Sequence, residues 1–256
     1  MTKNIFYEQA LDLMESTVNV FSLRVPTPRR AQFRHSFVYR HVEKTVHQAL
    51  VQKLARMVSS LRAARLLLEA GFVQEQAALQ RILDEIIEDI SFLSFSVILG
   101  NSEPSHKNYL EWFFQEEFDP NDAVVTTKAR ASVPRKKIQA YLDRCVSGQK
   151  GSSKDLDASR TVSKAYSGFV HAASPQIMDM YGGAPPRFHM RGMQGTERQA
   201  EHSADLWNYF YRGIMACYLS AKAFGDEELF VSIRKFEAEF LREAGSDYQS
   251  NEWLQI

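Results

Sequence analysis

The sequence lacks the features that would assign the protein to a specialised environment. Its 256 residues include only two cysteines, Cys145 and Cys217, and their separation fits no metal-ligand spacing. Two free thiols in a reducing compartment fit this composition better than a disulfide framework, and one bridge between the two is the other interpretation. Lysine plus arginine equals aspartate plus glutamate, at 31 each. Net charge therefore does not favour non-specific binding to nucleic acid or to an anionic membrane.

Long hydrophobic runs are absent as well. The longest uncharged apolar run, Ile90 to Leu99, covers half of the roughly 20 residues that a membrane-spanning helix needs. Residues Met1 to Ala10 carry scattered charges and lack the apolar core of a secretory signal. We therefore predict a cytoplasmic protein with no membrane partner.

The familiar catalytic fingerprints are missing too. The sequence contains no Gly-x-Ser-x-Gly elbow, no phosphate-binding loop of glycines and lysine, and no dinucleotide-binding glycine pattern. Helical bundles hold paired metal ions with Glu-x-x-His motifs on two of their helices, and this sequence has that spacing only once, at Glu103 and His106. We predict neither a metal site nor a cofactor.

What the sequence does contain is helical periodicity, most clearly between Phe72 and Gly100. Apolar residues recur there at spacings of three and four: Leu79, Ile82, Leu83, Ile86, Ile90, Leu93 and Val97. Gly71 is a natural stop for the preceding helical pattern, and so short a connection turns the next helix back antiparallel. The hairpin of 36–70 with 72–100 is predicted to form the centre of the fold.

Similar patterns predict further helices on both sides of this hairpin, over 4–23, 105–118, 136–146, 158–173, 174–181, 197–224 and 226–244. Segments near 119–135 and 147–157 lack periodicity, and we expect them to be flexible. No strand ladder or internal repeat is evident in the pattern. The prediction is one all-α domain over 1–256, a bundle of about seven or eight helices.

One irregular segment, 182–195, combines glycine, proline and cationic residues. Its basic residues, with a histidine shortly before it, are His171, Arg187, His189 and Arg191. Arginine presents forked donors that match phosphate and carboxylate groups. We predict that these four residues bind an anionic or nucleotide-like small molecule. The alternative is that the arginines pair with nearby helix carboxylates while Phe188 and Met190 fill the core.

The central helix also carries four acidic residues, Asp84, Glu85, Glu88 and Asp89. Glu85 and Glu88 are predicted to support the ligand site as polar groups. The cluster as a whole is expected to be an internal ion-pair network with Arg62, Arg65 or Arg81, or else a solvated stripe.

Arg40 and His47 are seven residues apart and, on a continuous helix, would share one face. This pair resembles the arginine-to-histidine signature of the HEPN family of helical ribonucleases and nucleotide-binding proteins. In that family the two residues cleave RNA without a metal ion, across a dimer. The resemblance implies an alternative function for this chain, metal-independent cleavage of RNA by Arg40 and His47.

A second resemblance rests on the order of parts: spaced arginines, an acidic central helix, then Tyr-Ser-Gly-Phe-Val-His at 166–171. This order is similar to that of a loosely defined group of uncharacterised bacterial helical proteins near the HEPN bundles. The similarity spans about Arg62 to Ser174, and it implies a helical bundle with no agreed activity.

The sequence thus leaves three hypotheses for function. The leading one is a homo-oligomeric, cytoplasmic protein that binds an anionic small molecule near 182–195. The second is the HEPN-like ribonuclease, with RNA as partner. The third is a structural or partner-binding helical protein without catalysis.

Overall fold

The structure is a computed structural model that describes residues 2–33, 35–116, 132–147 and 166–244. Most of its regular structure is helical, which confirms the predicted all-α, multi-helix bundle. Its helices are α1 Thr2–Ser22, α2 Val46–Glu69, α3 Val73–Ile98, α4 Pro104–Phe113, α5 Arg135–Ser147, α6 Ser174–Met178, α7 Glu197–Ala223 and α8 Glu227–Ala244. Residues 166–170 are also helical.

The segments predicted to be flexible, near 119–135 and 147–157, lie almost wholly outside the described residues. That the chain forms one domain over 1–256 likewise stays a prediction.

Helices α2 and α3 form the antiparallel hairpin predicted at the centre of the bundle. Gly71 joins them with a φ of +79°, a left-handed conformation that side chains with a Cβ rarely adopt. The amide of Gly71 donates to the carbonyl of Leu68 at 2.9 Å, and that of Phe72 donates to Leu67 at 2.8 Å. These two bonds close the C-terminus of α2 and reverse the chain within one residue.

The start of α2 differs from the prediction. Residues 36–45 are not helical, because α2 begins at Val46 behind the N-cap Thr45. Thr45 and Gln48 form a reciprocal capping box: the Thr45 hydroxyl accepts from the Gln48 amide, and the Gln48 side chain accepts from the Thr45 amide. Such a cap fixes the first turn of a helix, so the pattern upstream of it belongs to another element.

That element is a β-hairpin of β1 Arg29–Phe33 and β2 Ser36–Arg40. The strands pair antiparallel, with Arg29 opposite Arg40 and Phe33 opposite Ser36. A second, shorter pair, β3 Tyr181–Gly182 with β4 Arg187–Phe188, lies inside the irregular segment. The expectation of no strand pairing was therefore wrong in these two places.

Helix α7 packs along both members of the central hairpin. Its first turn reaches the end of α2, where the Gln199 side-chain amide donates to the Leu68 carbonyl at 2.7 Å. Its last turn reaches the beginning of α2, where the carbonyl of Ala223 lies 3.2 Å from Nε2 of His47. Helix α7 therefore runs antiparallel to α2 and parallel to α3.

Helices α1 and α8 complete the bundle around α7. Aromatic rings fill the junctions: Tyr7 stacks on Phe210 with ring centroids 4.5 Å apart, and Phe21 stacks on Phe224 at 4.1 Å. Asp226 caps α8 by accepting from the amide of Leu229 at 3.0 Å. In the described ranges, no helix has both the length and the apolar character needed to cross a bilayer.

Candidate functional site

The irregular segment 182–195, called here the cationic loop, is bonded to the residues just before it at its start and to the central hairpin at its end. At its start the β3–β4 pair is extended by the amide of His189, which donates to the carbonyl of Met180 at 2.9 Å. At its end the amide of Met193 donates to the carbonyl of Gly71 at 2.7 Å. Gly192 lies so close to α2 that a Cβ there would be 2.6 Å from the carbonyl oxygen of Ala70. The loop backbone is therefore held against the turn of the central hairpin.

Side chains alternate along the first half of this loop. Arg187 and His189 share one face of the short ladder, since side chains two apart in a strand point the same way. Phe188 points to the other face, where its ring contacts that of Tyr181 at 5.0 Å. His189 lies back over the loop, with Nε2 3.6 Å from the position a Cβ of Gly183 would take.

The arginines of the loop project into solvent. Arg187 and Arg191 are exposed, and within the described part of the chain neither forms an ion pair with a carboxylate. Phe188 is 43% exposed and Met190 is 78% exposed. The alternative in which the arginines pair with helix carboxylates and these two apolar side chains fill the core is therefore wrong. Met193 enters the core instead, with 3% exposure.

The loop also keeps its positive charge. Asp179 is the only acidic residue between 171 and 195, and it is already neutralised by Arg198 of α7 at 2.9 Å. Arg198 contacts Glu201 as well, at 2.7 Å. No carboxylate within 171–195 is left to balance the loop arginines.

The structure does not bring together all the residues predicted for the ligand site. His171 is exposed, and no described hydrogen bond or ion pair joins its side chain to the loop. Glu85 pairs with Arg81 at 2.8 Å, and Glu88 pairs with Arg135. At 1.5 Å per residue, Glu85 lies roughly 20 Å along α3 from the turn that holds the loop. The two glutamates serve other contacts.

Those contacts form part of an ion-pair network inside the bundle. Asp89 accepts from Lys53 at 2.7 Å, from the Tyr109 hydroxyl at 2.7 Å, and from Arg135. Arg135 also bonds to Glu88. Because Asp89 is 3% exposed, its charge needs these cations to offset the cost of burial.

The predicted partners of the acidic cluster were mostly wrong. Arg62 pairs with Glu15 of α1 at 2.6 Å, and Arg65 pairs with Glu8 of α1 at 2.7 Å. Only Arg81 contacts the cluster as expected. The other cations, Lys53, Arg135 and Arg212, come from α2, α5 and α7, so spacing along α3 could not identify them.

A second group of polar side chains, which the sequence reasoning missed, lies between α3 and α7. Gln76, Gln80 and Asp84 are spaced four apart on α3 and are 0%, 0% and 5% exposed. The side-chain oxygen of Gln76 contacts Nδ1 of His202 at 3.0 Å, and Asp84 accepts from Arg212 at 2.5 Å. We call this group, with Tyr209 beside Asp84, the polar seam. The signal in the sequence is three polar residues on an otherwise apolar helical stripe.

Two glutamines of the polar seam keep unpaired atoms. Among the residues that the structure describes, the side-chain oxygen and nitrogen of Gln80 both lack a hydrogen-bond partner. The side-chain nitrogen of Gln76 lacks one as well. Gln80 lies one turn from each of the contacts to α7, so its amide faces the same interface. Buried polar groups are normally satisfied, which marks this position as unusual.

Residues 166–170 cover the seam from outside. The Tyr166 hydroxyl donates to Asp205 at 2.9 Å, and the ring of Phe169 lies 5.7 Å from that of His202. Burial raises the pKa of Asp84, although Arg212 opposes this, and burial lowers the pKa of His202. Burial in the seam therefore disfavours the charged form of each group, and for Asp84 the cation of Arg212 partly offsets this.

A cleft of about 440 Å³ opens between α1, the end of α2 and the start of α7. Its polar lining includes Tyr7, Arg65, Glu69, Thr196, Gln199 and Ser203. Arg65 is already paired with Glu8 and with Glu69, at 2.7 and 2.9 Å. None of the four predicted basic residues lines this cleft.

The pair predicted by resemblance to the HEPN family is not arranged as expected. Arg40 ends β2 and bonds to Glu116, whereas His47 lies in the first turn of α2. The His47 ring contacts the carbonyl of Ala223 and lies edge-on to Phe224 at 4.6 Å. The prediction that Arg40 and His47 share one helical face was wrong, because the helix begins only at Val46.

Thiols and metal ligands form no site within the described ranges. Cys145 and Cys217 form no disulfide, and burial raises the pKa of each thiol. Histidine, cysteine and carboxylate groups do not gather there in a set of three that would hold a metal ion.

No protein-family model, no curated protein and no solved structure matches this chain. Any function must therefore be argued from the geometry of its own residues.

Proposed function

We propose that this protein binds an anionic small molecule of the phosphate or carboxylate class through the cationic loop. The observation that carries the proposal is the exposure of Arg187 and Arg191, on an anchored backbone, with no carboxylate partner in the described part of the chain. The binding groups are these two arginines and His189.

Other arginines near the loop behave differently. Arg62, Arg65 and Arg198 each bond to a carboxylate at 2.9 Å or less. An arginine with such a partner offers few donors to a ligand. The guanidinium groups of Arg187 and Arg191 donate to no carboxylate among the described residues, and a forked pair of donors suits a phosphate or carboxylate.

The anchored backbone supports binding in a second way. Ordering a mobile loop costs free energy when a ligand binds. Here the bonds from His189 to Met180 and from Met193 to Gly71 hold the loop before any ligand arrives. Because Arg187 and His189 share a face, one anion between them would receive donors from both.

The remaining parts of the hypothesis have less support. His171 has no described contact with the loop, so we assign it no essential role. A homo-oligomer and a cytoplasmic location stay predictions. For the ribonuclease alternative, Arg40 and His47 each make other contacts, and no observation favours the pair as a site.

Isothermal titration calorimetry with inorganic phosphate, adenosine diphosphate and citrate at low ionic strength tests the proposal. We expect saturable binding of at least one probe, weakened roughly tenfold or more by Arg187→Ala with Arg191→Ala. A matched control is Arg56→Ala with Lys137→Ala, which removes two other exposed cations that have no described ion pair.

The control separates a site from a general effect of charge. If the control variant weakens binding as much as the loop variant does, or if no probe binds, the proposal is wrong.

A further inference from the structure

The outward face of the β1–β2 hairpin carries an arginine and two aromatic rings. In the register of the hairpin Arg30 pairs with Tyr39 and Gln32 pairs with Phe37, so these side chains share one face. Phe37 is 38% exposed and Tyr39 is 61% exposed. The opposite face, with Ala31 among its members, is half-buried.

The three side chains form one continuous surface. The guanidinium of Arg30 lies 3.5 Å from the centroid of the Phe37 ring. The rings of Phe37 and Tyr39 meet edge to face, with centroids 5.6 Å apart. The Arg30 guanidinium therefore covers one face of the Phe37 ring, and the exposed ring of Tyr39 lies beside this pair. The main contacts of the hairpin are between its own two strands.

The hairpin also lies in a strongly basic stretch of sequence. Residues 17–42 contain five arginines and no aspartate or glutamate. Two of these arginines are neutralised by distant carboxylates: Arg24 pairs with Asp226 at 2.8 Å, and Arg40 pairs with Glu116. The whole chain has no net charge, although residues 17–42 carry a local excess of positive charge.

That excess lies beside the aromatic face. Arg30 is exposed, and no carboxylate within the described residues pairs with it. Arg29 is exposed as well and acts electrostatically on Glu43, whose pKa is lowered chiefly by a hydrogen bond from Gln48 and further by this arginine. Arg30 thus places positive charge against the rings, and Arg29 adds positive charge on the other face of β1.

We propose that this face binds single-stranded nucleic acid, with bases stacked on Tyr39 and on the Phe37–Arg30 pair and with phosphates attracted by the positive charge of β1. Aromatic platforms beside a basic track are how proteins bind single strands without reading their sequence. The site is separate from the cationic loop and does not depend on the function proposed for that loop.

The charge of the face argues against a second copy of the chain as its occupant. A two-fold symmetric contact places the same patch of both copies together. The arginines of both copies would then lie within one small interface, and like charges across an interface are unfavourable. A polyanion with planar bases removes this repulsion and uses both features of the face.

Fluorescence anisotropy with labelled oligo(dT) and oligo(U) of about 12 nucleotides tests the proposal. We expect both oligomers to bind, more weakly at about 200 mM than at about 50 mM salt. Phe37→Leu with Tyr39→Leu should weaken binding roughly tenfold or more, whereas Tyr39→Phe should keep it because the π-face remains. Comparing the two oligomers shows whether DNA or RNA is preferred.

The control is Tyr181→Leu, which makes the same change at another exposed tyrosine that contacts a phenylalanine. This variant should bind like the wild type. A second test, Arg29→Gln with Arg30→Gln, leaves the rings in place, and it should weaken binding and reduce the dependence on salt.

Three results would overturn the proposal. The first is that neither oligomer binds the wild-type protein at low salt. The second is that the leucine and glutamine variants both bind as the wild type does. The third is that sedimentation shows a dimer that the hairpin variants abolish, without oligomer binding, which would make the face a self-association surface.

Discussion

Met193 and Gly71 are joined by a 2.7 Å hydrogen bond from the amide of Met193 to the carbonyl of Gly71. The same glycine turns the chain from α2 to α3 with a φ of +79°. A Cβ added to it would lie 2.6 Å from the amide nitrogen of Gln194 and 2.8 Å from that of Met193. One residue thus serves both the central hairpin and the attachment of the cationic loop.

The substitution Gly71→Ala should therefore be costly. The left-handed conformation of an alanine costs about 1–2 kcal/mol. The approach of two backbone atoms adds about 1–3 kcal/mol, because the loop must shift. Urea unfolding should show a loss of about 2–5 kcal/mol in the free energy of unfolding.

Gly100 provides the matched control for that substitution. Its φ is +61°, but nothing lies within 4 Å of the position a Cβ would take. Gly100→Ala should cost only the conformational part, about 1–2 kcal/mol. Equal losses in the two variants would show that the loop does not press on Gly71.

Asp89 should be far more sensitive to substitution than Glu85, although both are carboxylates of α3. Asp89→Ala removes the buried acceptor of Lys53 and one of the two carboxylates that bind Arg135. Breaking such a network costs about 3–5 kcal/mol. Glu85→Ala breaks an ion pair in which Glu85 is 46% exposed, and this should cost about 0.5 kcal/mol or less. Chemical denaturation of both variants measures the difference, and similar losses would contradict a buried network.

The central hairpin was predictable because local signals determine it. The apolar stripe from Leu79 to Val97 and the stop at Gly71 lie within a few turns of each other. The β1–β2 hairpin was not predicted, because Val42, Val46 and Leu50 are four apart and continue the pattern of α2 upstream. Periodicity alone does not register that Thr45 and Gln48 have the three-residue spacing of a capping box, which starts the helix at Val46.

The candidate site was predictable only in part, because only some of its features depend on residues close together in the sequence. The exposure of Arg187 and Arg191 follows from the lack of apolar periodicity in 182–195. The partners of Asp84 and Asp89 could not be found from the sequence, because Arg212 and Arg135 are distant along the chain. Only the pair of Arg81 and Glu85, four residues apart on one helix, was accessible to a local rule.

Gln80 provides a test of the polar seam. Its side chain is buried and both amide atoms lack described partners, so Gln80→Leu removes a desolvation cost. We expect the free energy of unfolding to rise by about 1 kcal/mol.

Gln48 is the control, because it is equally buried but fully bonded. Its side chain donates to Glu43 at 2.7 Å and accepts from the amide of Thr45 at 3.0 Å. Gln48→Leu should lower the free energy of unfolding by about 1–3 kcal/mol. If Gln80→Leu is as damaging as Gln48→Leu, buried water or a ligand satisfies Gln80.

Asp84 should make the stability of the protein depend on pH. Burial raises its pKa in the folded state above the ordinary value, and Arg212 opposes this without cancelling it. The folded state therefore holds this proton more tightly than the unfolded state does. The contribution of Asp84 to stability is complete below its unfolded pKa and is lost as the pH rises through its folded pKa.

The measurement compares the wild type with Asp84→Asn, in which this titration is absent, by urea unfolding between about pH 4 and pH 7. The unfolding free energy of the wild type, relative to that of the variant, should fall as the pH rises. Arg212→Met should make the fall steeper, since the opposing cation is gone and the pKa of Asp84 rises further. Parallel curves for the wild type and Asp84→Asn would mean that Arg212 fully compensates the burial of Asp84.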